Sequence, residues 1–270
     1  MLRRAVFLAI AFIIWADLTF AAKPARLSSD EMAKAIKSDT ITIPTAGELF
    51  AALTKPGKID WQSQYREPIP MTYRNRAQIA LNLGGLIADG FIAVEAQDGQ
   101  QVKNIGADII KLAKALGVSQ NILGRGNSIN EFAENNDWDS LQEELEATQN
   151  EVKSSMQSHQ DQDLVILVSL GGWIRGTQVV SAAIMKNYNE RSAKVLRQPA
   201  LVNFIRSKIN DISPGMRNEP LVKEVSGQLS EIEKLVSFSA DTPPGVEDVR
   251  KLNAAIGKMM EEIRDKTEAE

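Results

Sequence analysis

Residues 79–94 read IALNLGGLIADGFIAV, and residues 166–181 read ILVSLGGWIRGTQVVS. A constant shift of 87 positions pairs Leu83-Gly84-Gly85-Leu86-Ile87 with Leu170-Gly171-Gly172-Trp173-Ile174. Self-similarity at that distance marks a whole multi-helix unit. Each segment is free of proline and too long for an ordinary strand, so both are predicted to be helices, although each glycine costs about 1 kcal/mol against alanine. Something must offset that cost.

Residues placed at about 100° per position around a helix suggest what it is. The first copy is apolar almost all round, apart from a narrow stripe of Gln78, Asn82, Gly85 and Asp89. The matching stripe of the second copy holds Val165, Ser169, Gly172, Gly176 and Ala183, small where the first is polar. Ala80, Gly84 and Ala88 make a further small seam, the spacing that lets helix backbones approach closely. The two long helices are therefore expected to cross near their glycines about a pseudo-twofold axis, with the carboxylate of Asp89 in or beside the crossing. No stretch alternates as a strand would. The predicted fold is all-α, a helical bundle built from two related multi-helix repeats.

The predicted division is a signal peptide over 1–21, an irregular segment with short helices over 22–74, a first repeat over 75–161, a second over 162–245 and a C-terminal helix over 246–270. The start MLRR, the apolar run AVFLAIAFIIWADLTF and the small pair Ala21-Ala22 follow the order of a secretory signal, with cleavage expected near Ala21. That predicts a periplasmic or secreted protein without stable membrane insertion once the signal is removed. Removing residues 1–21 takes away Arg3, Arg4 and Asp17 and moves the net charge from −4 to −5. A mildly acidic, exported chain argues against nucleic acid as a partner. With no cysteine, disulfides, thiolate catalysis and cysteine metal sites are all excluded.

Before the first repeat, Ser28-Ser29-Asp30 opens a short predicted helix and Thr45 caps a second, AGELFAAL. The aromatic stretch KIDWQSQYREPIPMTYRNR that follows is read as irregular, with Trp61 and Tyr65 packed as lids over the bundle or forming a binding surface. Further helices are expected over about 102–116, 119–134, 138–156, 200–211, 219–238 and 245–266.

Asp89 is the leading candidate for function, because a carboxylate on an apolar helix must be paired or have a raised pKa. Asn82 and Gln78 share its stripe, and Arg175 of the second copy is its expected charged partner. Asn82, Asp89 and Arg175 would set the polarity of a ligand groove between the repeats, and Phe91 and Trp173 would supply its apolar wall. The predicted ligand is a small molecule or an envelope protein. No cofactor, metal site or catalytic residue is assigned.

The enzyme alternative is a carboxylate-dependent hydrolase of envelope material with Asp89 and Glu95 as acid and base, Asp98 lying nearby. A purely structural envelope protein is the third reading. His159, the single histidine, stands near Asp161 and Asp163, and Asn135 to Glu146 imitates a calcium loop. The loop lacks a glycine at its sixth position, held by Ser140, and an acidic helix cap explains the same letters. The glycine pairs follow no strand and precede no Gly-Lys-Ser/Thr, so they are not phosphate loops.

Overall fold

The computed structural model describes Ile43, Thr45, Gly47, Glu48 and Phe50 and residues 59–118, 121–158, 161–239 and 242–265. The stretch expected to be a signal peptide, the helix expected after Ser28, and His159 lie outside the described residues. Among those described the chain is all-helical and contains no strand.

Two helices occupy the centre. Helix α1 (Arg76–Glu95) starts at Asn75, whose side chain accepts hydrogen bonds from the backbone N–H of Ala77 and Gln78 at 2.8 and 3.1 Å. Every residue from Ala77 to Val94 is buried, as a helix apolar on nearly all sides requires. The second central helix spans Gln162–Lys186 and is the strongest neighbour of α1. Both are long and apolar enough to cross a membrane, yet here all of the apolar window of α1 and 83% of that of its partner are buried within the bundle.

The chain between them makes one flank. Helices α2 (Gly99–Ala115), α3 (Asn121–Glu134) and α4 (Trp138–Ser158) each carry one apolar stripe, such as Val102, Ile105, Ile109 and Leu112 on α2. Helix α2 lies on α1, α3 joins α2 to α4, and α4 returns to both central helices. The central Gln162–Lys186 helix is α5.

The other flank follows α5. Short α6 (Glu190–Ala193) leads to α7 (Pro199–Asp211), short α8 (Pro214–Arg217), α9 (Pro220–Val236) and α10 (Val246–Asp265). Pro199, Pro214 and Pro220 each open a helix, where the missing N–H costs no hydrogen bond. Helix α10 packs on α5 and on α1, α9 lies on α10, and α7 closes the layer against α9 and α5.

The two central helices are thus covered differently. Helix α1 is covered chiefly by the helix that follows it in sequence, whereas α5 is covered chiefly by α10 from the chain's end. The two glycine-bearing helices meet each other, whereas the helices around them follow different orders, unlike the pseudo-twofold arrangement expected.

Candidate functional site

The crossing of α1 and α5 is made by glycines. A Cβ on Gly84 would fall inside the carbonyl group of Val168 and 2.7 Å from the backbone nitrogen of Gly172. On Gly171 it would fall inside the carbonyl oxygen of Leu81 and 2.8 Å from that carbonyl's carbon. Backbone therefore rests on backbone, an approach that only glycine permits. The packing gained offsets the low helix propensity of the paired glycines.

Gly85 faces elsewhere. A Cβ there would stand 3.1 Å from Nη2 of Arg66 and 3.6 Å from the terminal methyl of Met260. The polar stripe of α1 accordingly looks toward α10 and toward the irregular segment before α1, with Asp89 alone reaching the α5 side. Gln78 Nε2 and Asn82 Nδ2 both donate to the backbone carbonyl of Ile263 at 2.9 Å. That carbonyl belongs to the last described turn of α10, so the stripe grips α10 from the side.

Asp89 lies between two guanidinium groups. Arg175 Nε donates to Oδ1 at 2.7 Å, and Arg66 Nε donates to Oδ2 at 2.8 Å. Arg66 Nη2 is 2.6 Å from the same oxygen, close enough for the ion pair but outside hydrogen-bond geometry. Arg175 also donates through Nη1 to Gln178 Oε1 at 2.8 Å and through Nη2 to the Gln64 carbonyl. Burial pushes the Arg175 guanidinium below its ordinary pKa; the Asp89 charge opposes this and the Arg66 charge adds to it.

Residues 59–75 form a strap across this end of the bundle. A single 3-10 turn, Gln62–Gln64, is its sole regular element. Trp61 is buried and packs on Phe50 with ring centroids 5.2 Å apart, and Phe50 belongs to the segment that Thr45 and Glu48 cap reciprocally. Tyr65 donates from its hydroxyl to Asp98 at 3.3 Å, and burial raises its pKa further than that carboxylate does. Trp61 packs inward and Tyr65 is half-buried, as residues lying over the bundle would be.

Of the residues expected to line a groove, Asp89 and Arg175 meet as anticipated. Asn82 binds the end of α10 instead. Phe91 is buried beside Gly47, and Trp173 is fully buried with its Nε1 donating to Gln198 Oε1 at 3.2 Å. All five are buried, so each is engaged by this chain itself.

Arg66 and the Gln64 carbonyl were not anticipated, because an irregular segment has no period from which to place its side chains. The other candidates have structural work. Asp98 caps α2 by accepting from the Gln101 N–H at 3.0 Å, and Asp137 caps α4 by accepting from Ser140 N and Oγ. Asp161 pairs with Arg76, and Asp163 accepts from the Ser213 N–H. Among the described residues no group of His, Asp or Glu has the geometry of a metal site.

The chain matches no protein-family model, no curated protein and no solved structure.

Proposed function

We propose that this is an exported, non-enzymatic helical protein of the cell envelope that engages a partner protein, with the Asp89 cluster acting as the clamp that fixes its shape. The observation that carries this reading is the state of the crossing: α1 and α5 meet backbone to backbone, and both oxygens of Asp89 are held by arginines. A small ligand needs a concavity with convergent polar groups, and here those groups converge on one another. Glycoside hydrolysis needs two carboxyl groups facing across the substrate; of the expected pair, Asp89 has both oxygens held by arginines and Glu95 stands at the C-terminal end of α1.

The leader over residues 1–21 supports the address, and the near-absence of exposed large apolar side chains, Val246 alone among the described residues, fits a bundle that stays out of the membrane once processed. The shared 87-residue spacing supports duplication of one ancestral unit, with the first repeat over 75–161 and the second over 162–245, followed by divergence of the flanks.

The test is Asp89→Asn in the processed protein. A clamp loses melting temperature while the envelope polymers of its host stay intact with or without the substitution. Cleavage of such a polymer by the parent protein, abolished in Asp89→Asn at unchanged melting temperature, overturns the proposal in favour of a hydrolase.

A further inference from the structure

The strap is seated as a bound peptide is seated. From Pro68 to Arg74 its residues alternate: Ile69, Met71 and Tyr73 turn inward, while Pro68, Pro70, Thr72 and Arg74 are exposed. That is the period of an extended chain lying on a surface. Among the described residues no backbone–backbone hydrogen bond involves residues 66–74, so side chains hold this stretch and no ladder does. Its polar anchors are the Arg66 guanidinium on Asp89 and, just before it, the Gln64 carbonyl on Arg175. Asp89 and Arg175 also pair directly with each other, Arg175 Nε lying 2.7 Å from Asp89 Oδ1, a contact that does not run through Arg66.

We propose that the face of α1 and α5 carrying Asp89, Arg175 and Gly85 is a peptide-docking groove that residues 59–74 occupy in cis, and that an extended, arginine-bearing segment of a partner protein takes the same seat by displacing them. The chemistry of the occupant follows from the seat. A carboxylate selects a guanidinium over the glycine notch at Gly85, and a guanidinium selects a backbone carbonyl two residues earlier. The remaining described surface offers no apolar patch, so the area for a partner comes from exchange with the strap. This deepens the partner-binding reading by naming the site and the recognition element.

The experiment uses the full processed chain and a fluorescein-labelled peptide of residues 59–74. Arg66→Ala loosens the strap, and Trp61→Ala does so from its other anchor. Hydrogen exchange over 59–74 is expected to rise at least tenfold in each variant while α1 and α5 stay protected. The peptide is then expected to bind either variant saturably, to bind the parent protein at least tenfold more weakly, and to lose at least tenfold in affinity when its own arginine at position 66 is alanine. Unchanged exchange over 59–74 in both variants overturns the proposal, as does a loosened variant that binds no peptide or ignores the arginine. Because no partner is present, failure here removes the cis-occupied groove and leaves the Asp89→Asn comparison to judge the wider reading.

Discussion

Gly84 and Gly171 lie reciprocally against the backbone of each other's helix, Gly84 on the Val168 carbonyl and Gly171 on the Leu81 carbonyl. The two pairs are related by the same 87-residue shift that relates the sequences. Neither carbonyl can retreat without breaking a helical hydrogen bond. Gly84→Ala or Gly171→Ala is therefore expected to cost about 3 kcal/mol or more, the upper range of overpacking. Gly124 is the control: it is helical, exposed and has nothing within 4 Å of a built Cβ. Gly124→Ala should stabilise by about 0.5–1 kcal/mol. Urea midpoints of the three variants decide the matter, and a tolerated alanine at position 84 contradicts the crossing.

At the Asp89 cluster the three positions are expected to differ in cost. Asp89→Asn leaves the buried guanidinium of Arg175 without its counter-charge and should cost about 3–5 kcal/mol. Arg66→Ala removes the more exposed partner and leaves Asp89 with Arg175, so about 1 kcal/mol is expected. Joint replacement of Asp89 by leucine and Arg175 by methionine should recover much of the Asp89→Asn loss, because no charge then stays buried alone. Thermal melts of the series give the ranking, and equal costs at 66 and 89 refute it.

Gln78 and Asn82 back each other up on one carbonyl, that of Ile263. Either single alanine leaves the acceptor one side-chain donor and should cost about 1 kcal/mol, whereas the double variant removes both and should exceed the sum by about 1 kcal/mol. Faster hydrogen exchange at residues 259–265 should accompany the double variant. Strict additivity would show that water replaces the side chains.

Tyr73 sets an alkaline limit. Burial raises its hydroxyl from the ordinary value of 10.0 to about 12, and that hydroxyl is buried without a hydrogen-bond partner. The folded chain keeps its proton where the unfolded chain has lost it. Stability is thus intact below pH 10 and falls as the pH rises from about 10 toward about 12. Tyr73→Phe should flatten part of that fall and, by deleting an unsatisfied hydroxyl, be neutral or stabilising by up to about 1 kcal/mol at pH 7. Denaturation midpoints between pH 8 and 12 test the slope; an unchanged slope in Tyr73→Phe assigns it elsewhere, first to Tyr65, whose pKa is raised as well.

Helix periodicity made the architecture legible. The helix starts and the long apolar runs act through residues a few positions apart, and local rules reach that far, whereas Pro199 and Pro214, which open helices here, were not expected to do so. The Asp89–Arg175 pair was legible because an acid on an apolar helix demands a partner and the similar second helix carries a mid-span arginine. The direction of the polar stripe was not: Gln78, Asn82 and Gly85 face α10 and Arg66, and nothing in the period of α1 says which neighbour will lie over a given stripe. Nor does periodicity say that α5 will be covered by the last helix of the chain, since that choice rests on packing among distant elements.

The order of synthesis matters for the strap. Arg66 emerges 23 residues before Asp89, and Gln64 emerges 111 residues before Arg175. Until residue 175 has been made, the strap lacks its Arg175 anchor, although its Asp89 anchor is already present. Its closure over Asp89 and Arg175 therefore reports that α1 and α5 have met, so a nick between residues 59 and 74 would mark molecules in which they have not.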